Sequence, residues 1–116
     1  MQSLKGIFMN RGELWIGAET GYASKPRPAL IVQSDRYSDD ESVVTCLITS
    51  HATDVTGADY RVALPKSDVN GLKVDSFVML DKIVSIPRQK LAKRIGIVEA
   101  KKMDEIYSRL IDFLAE

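Results

Sequence analysis

A helical period of apolar residues occurs once in this chain, near its end. Met103, Ile106, Tyr107, Leu110, Phe113 and Leu114 recur at three- and four-residue spacing. That spacing makes one stripe on an amphipathic helix from about Glu99 to Ala115, which reads as core packing. Upstream, apolar residues come in short runs rich in β-branched side chains, bounded by Gly, Pro, Ser and Asp. These runs predict strands at Gly12–Ala18, Arg27–Ser34, Ser42–Ser50, Tyr60–Leu64, Asp75–Ile83 and Ile95–Val98. Tyr60–Leu64 alternates as a strand with one exposed face does, whereas Ala29–Val32 is apolar throughout and reads as buried on both faces. Glu19–Pro26 and Asp35–Glu41 are loops, and Pro65–Lys73 is a turn region around Asn70-Gly71. Strands followed by one terminal helix predict a mainly β fold, a small curved barrel or sandwich with the helix over one opening. A chain of 116 residues holds this as a single domain, residues 1–116.

The chemistry open to the chain is bounded by what it contains. Sixteen basic residues balance sixteen acidic ones, so a polyanion site must be a local patch rather than a global charge. Arg88, Lys90, Lys93, Arg94, Lys101 and Lys102 make residues 88–102 locally basic, suited to RNA phosphates, to an acidic protein tail or to solvent. The single cysteine, Cys46, sits in an apolar run and reads as a small core residue; it fits a reducing compartment. One His and one Cys make no zinc set, no glycine motif cradles a phosphate, and no cofactor is expected. No apolar segment approaches the roughly 20 residues of a membrane span. The start, MQSLKGIFMNRG, lacks the apolar length of a secretory signal, so a cytoplasmic protein is expected.

Five motifs carry a resemblance. RGELWIGA (Arg11–Ala18), RPALIV (Arg27–Val32), LITS (Leu47–Ser50), NGLKVDSFVMLDKI (Asn70–Ile83) and KRIGIV (Lys93–Val98) resemble, in that order, the MazF/PemK family of toxin endoribonucleases. The likeness spans about residues 11–114 and includes the terminal helix. It implies an SH3-like barrel of the CcdB/MazF type, assembled as a homodimer. It also implies a bacterial type II toxin, neutralised by a cognate antitoxin that occupies the RNA groove. Met9 stands where family chains often begin, so residues 1–8 read as an N-terminal extension. The implied activity is metal-independent cleavage of single-stranded RNA at a short sequence, inhibiting translation. The products would be a 2′,3′-cyclic phosphate and a 5′-hydroxyl.

Attack by the RNA's own 2′-hydroxyl needs a proton acceptor, a donor for the leaving 5′ oxygen, and positive charge on the phosphorane oxygens. DNA lacks the attacking group and is not an expected substrate. The resemblance gives Arg27, of the Arg-Pro motif, the central catalytic role; a guanidinium suits a phosphate and stays protonated. Pro26 and Pro28 restrict the backbone on either side of it. Thr49 matches the second catalytic position and Ser50 beside it is a weaker contact of the same kind. Asp81 matches an acidic position, either orienting Arg27 or accepting a proton. Lys82 and Lys25 are candidate phosphate contacts, and Tyr22 a stacking surface for a base. His51 is tempting as a general base, since a free imidazole titrates near neutrality, but it matches no family position. The ETGYASKP loop is shorter than in many members and lacks their Gly-rich signature, and Met79 replaces an arginine that some members carry. Two alternatives remain. A gyrase poison of the CcdB type is opposed by the LIDFLAE ending, which lacks Trp-Gly-Ile. A catalytically inactive, partner-binding homologue is opposed by the presence of both Arg27 and Thr49.

Overall fold

The structure is a computed structural model that describes residues 8–17, 27–50 and 60–115. Six strands precede one helix: β1 Glu13–Gly17, β2 Pro28–Ile31, β3 Ser42–Thr49, β4 Arg61–Leu64, β5 Ser76–Pro87, β6 Leu91–Ile97 and α1 Ala100–Ala115. They form one sheet in the order β4-β5-β3-β2-β1-β6, with every neighbouring pair antiparallel. Strand β5 carries the curvature. Its second half pairs with the start of β3 and its first half with the end of β3, and the register shifts between Cys46 and Ile48. Such irregularities sharpen twist and bend a sheet on itself.

The edges at β4 and β6 are brought together by the β4–β5 connection. The Ile97 N–H donates to the Val69 carbonyl at 3.0 Å. Asn70 holds this connection from within. Its Oδ1 accepts from the Ser67 and Leu72 N–H groups, and its Nδ2 donates to the Pro65 carbonyl. Gly71 has φ +72°, and a Cβ there would collide with the Ile95 backbone carbonyl. Glycine therefore serves both the left-handed turn and the close approach to β6.

Two apolar clusters explain the uninterrupted Ala29–Val32 run. Leu30 and Val32 join Leu14, Cys46, Ile48, Val62, Val78 and Leu80 beneath α1, which contributes Met103, Ile106 and Leu110. Ile31 points the other way, into a cluster with Met9, Trp15, Val43 and Leu91. Burial on both faces of β2 is thus as its sequence indicated.

Three expectations need correction. The apolar stripe of α1 is not covered along its whole length: Phe113 and Leu114 are 44% and 61% exposed. A 16-residue helix is about 24 Å long and outreaches the sheet that covers its first turns. Strand β5 continues past Ile83 to Pro87, because residues 83–87 have a partner in the start of β3. Strand β6 starts at Leu91, before the expected Ile95. The charged residues Lys93 and Arg94 hid it, and such residues suit a sheet edge.

Candidate active site

Strands β2 and β3 pair Ala29 with Leu47, Leu30 with Cys46 and Ile31 with Thr45. Continuing that register by two pairs, past Pro28 and Ile48, sets Arg27, the residue just before β2, opposite Thr49 at the end of β3. Thr49 in turn faces Phe77 of β5, and Phe77 faces Ala63 of β4. Direct cross-strand partners share a face of an antiparallel sheet. Arg27, Thr49, Phe77 and Ala63 therefore form a row across one face, while Ile48, Val62, Val78 and Leu80 turn toward the core beneath α1. Arg27 is exposed and Thr49 is buried. An exposed arginine and a buried threonine thus lie at adjacent strand ends.

Asp81 lies on the same face, four residues beyond Phe77, but its guanidinium partner is Arg61 rather than Arg27. The Arg61 Nε–H donates to Asp81 Oδ1 at 3.3 Å. The β4–β5 register sets Arg61 opposite Met79, so Asp81 is its diagonal neighbour. The Arg61 side chain is 14% exposed and that of Asp81 25%. The Arg61 guanidinium also lies 5.5 Å from the Tyr60 ring centroid. Sequence reasoning missed Arg61; its only signal was the alternation of YRVAL, which marked it as facing away from the core.

Ser50 is exposed just past β3, and Lys82 is exposed within β5 beside Asp81. Tyr22, Lys25 and His51 lie outside the described residues. The basic region at 88–102 is weaker than its sequence suggests. Arg88 is buried and donates from Nη2 to the Ser38 carbonyl at 2.7 Å, tying the end of β5 to the loop before β3. Arg94 pairs with Glu13 at 3.4 Å and Lys102 with Glu105 at 2.9 Å. Lys90, Lys93 and Lys101 remain exposed.

Glu13 is a buried carboxylate whose Oε1 accepts from the Trp15 indole N–H at 2.8 Å and from the Asn10 N–H. These partners bind the first strand to the segment before it, a structural use of the RGELW motif. Burial, with a smaller contribution from the Asp81 charge, pushes the Cys46 thiol from 9.0 up to about 11. A thiol so held is inert at neutral pH, in keeping with a core role. A cavity of about 460 Å³ opens between Tyr60 and the end of α1, with Arg109, Asp112 and Phe113 among the described residues that line it. Among the described residues, no three His, Cys, Asp or Glu side chains converge to hold a metal, and no helix is long and apolar enough to cross a membrane.

Comparison with known proteins gives consistent results. Residues 10–114 match a family model described as PemK-like, MazF-like toxin of type II toxin-antitoxin system. The chain is 34% identical over 107 residues to a "Probable endoribonuclease MazF" of Mycolicibacterium smegmatis, covering 91% of this chain and 96% of that one. It is 32% identical over 106 residues to "Endoribonuclease MazF6" of Mycobacterium tuberculosis, covering 86% and 91%. Among solved structures, a mycobacterial endoribonuclease in complex with its cognate antitoxin superposes with a TM-score of 0.74 at 24% identity, covering 94% and 95%. A MazE-MazF crystal structure from Deinococcus radiodurans gives a TM-score of 0.74 at 25% identity, covering 92% and 95%.

Proposed function

The chain belongs to the PemK-like, MazF-like toxins of type II toxin-antitoxin systems, an endoribonuclease family, and on that premise we propose that Arg27 and Thr49 form its catalytic centre. The observation that supports this reading is the β2–β3 register, whose extension by two pairs past Ala29–Leu47 brings Arg27 opposite Thr49. In this reading the RNA 2′-hydroxyl attacks the adjacent phosphorus and the bond to the 5′ oxygen breaks. The 2′ proton is lost and the 5′ oxygen gains one, leaving a 2′,3′-cyclic phosphate and a 5′-hydroxyl. Arg27 brings positive charge to the phosphorane oxygens, where a preorganised donor acts most strongly. Thr49 donates or accepts a hydrogen bond at the same phosphate. Asp81, paired with Arg61 on the same face, is the carboxylate assigned to proton transfer. Ser50, Lys82, Lys25 and Tyr22 complete the substrate contacts.

The protein acts on RNA as a toxin and is neutralised by a cognate antitoxin protein. The family resemblance supports a homodimer in the cytoplasm, and a single toxin domain preceded by an extension at residues 1–8. The direct test is cleavage of a long single-stranded RNA in excess EDTA by the wild type and by Arg27→Ala. Discrete fragments with 5′-hydroxyl ends are expected from the wild type. The variant should be slower by about 10²- to 10³-fold, the usual loss for one oxyanion donor. Equal rates would refute the assignment of Arg27. Inhibition of DNA gyrase without RNA cleavage would favour the gyrase-poison alternative.

A further inference from the structure

We propose that Arg61 binds the phosphate of a nucleotide flanking the cleavage site, extending the substrate surface from the Arg27–Thr49 row onto β4. The inference rests on the endoribonuclease reading of that face.

Four observations carry it. Arg61 lies two residues from Ala63, which belongs to the row containing Thr49, so alternation puts Arg61 on the same face. Its side chain is largely buried, yet Asp81 engages it through Nε alone. Among the described residues no further acceptor reaches its Nη groups, which retain the planar fork that suits a phosphate. Finally, Asp81 and the Tyr60 ring fix the guanidinium before substrate arrives, so little rotamer freedom is lost on binding. An arginine needed only to neutralise a surface carboxylate gains little from such confinement.

Position decides the role. Thr49 and Arg61 are separated by two strand spacings, about 10 Å, and offset by two residues, about 7 Å. The Arg61 guanidinium is drawn toward Asp81, on the side of Met79 away from Phe77 and Thr49, so the two groups serve different phosphates. Arg61 therefore serves a neighbour of the reacting phosphate, and its loss weakens the binding of RNA.

The probe is a fluorescent, single-stranded 2′-O-methyl oligonucleotide of mixed sequence, which lacks the attacking hydroxyl and cannot be cut. Its affinity for full-length wild type, Arg61→Gln and Arg61→Lys is measured over a tenfold range of KCl, beside thermal melting of each protein. Removing one phosphate contact from a single strand lowers the slope of log K against log salt by about 0.7. Arg61→Gln should lose that amount, so the wild-type advantage shrinks about fivefold across the series. Arg61→Lys keeps the charge, retains an ion pair for Asp81 and should keep most of the slope. A purely structural arginine would lower the melting temperature of Arg61→Gln and leave its slope unchanged; that result overturns the proposal. Salt-independent binding by the wild type overturns it too. The binding readout decides the role of Arg61 whether or not the chain cuts RNA, and cleavage of an all-ribose RNA separately tests the catalytic assignment.

Discussion

Arg27 and Thr49 should behave as one unit, and a double-mutant cycle measures this directly. The β2–β3 register places their Cβ atoms about 5 Å apart if both act across the same sheet face. Arg27 is exposed, so Arg27→Ala removes charge without disturbing the core. Thr49 is buried, so Thr49→Val is the better replacement, keeping the branched shape that a strand favours. Loss of the guanidinium should cost about 3 to 4 kcal/mol of transition-state stabilisation. Loss of a hydroxyl that bonds a charged phosphate should cost about 1.5 to 3 kcal/mol. Independent residues would lose the sum. Two groups acting on one phosphate lose much less, because the phosphate is already misplaced once either is gone. The double variant is therefore expected within about tenfold of Arg27→Ala alone, a coupling on the order of 1 to 2 kcal/mol. The assay is single-turnover cleavage of a defined RNA, with circular dichroism melts confirming that all four proteins fold. Costs that add to within about 0.5 kcal/mol would refute the shared-phosphate geometry.

Three stability predictions follow from the same structure. Gly71→Ala should destabilise by at least about 2 kcal/mol, because it adds left-handed strain to a backbone collision with Ile95; a lowered denaturation midpoint at unchanged m-value checks this. Ile106→Ala, at a fully buried position of α1, should cost about 2 to 5 kcal/mol and leave β1–β6 assembled until global melting. Cys46 is neutral in both folded and unfolded chains below pH 9; above that the unfolded chain ionises first, while the folded thiol waits until about 11. Stability should therefore fall between those values by on the order of 2 to 3 kcal/mol. Cys46→Ala should remove that part of the alkaline loss in denaturation curves recorded across the range.

Much of the fold was legible because it depends on local period. The Met103–Leu110 spacing fixed the helix, and the β-branched runs fixed where strands lie. The Arg-Pro and Ile-Thr-Ser motifs pointed to chemistry only through the family resemblance, because a polar side chain at a strand end has by itself no distinguishing pattern. Boundaries failed where a strand was mixed in polarity: Val84 and Ile83 are 37% and 39% exposed on β5, so no clean alternation marked its extension. The basic stretch at 88–102 misled because sequence counts charges without showing which are withdrawn. Arg88 is buried against a carbonyl 50 residues away in the chain.

The sequence alone determined the kind of elements and their order, since propensity and periodicity act over a few neighbours, and its motifs carried the family resemblance that nominates Arg27 and Thr49. Only the tertiary structure decided the partners. It gave Asp81 to Arg61, 20 residues distant, and set Gly71 against β6 to close the barrel. Both outcomes depend on strand register and on the bend in β5. A shift of one residue in register would turn every side chain to the opposite face, and no local pattern specifies it.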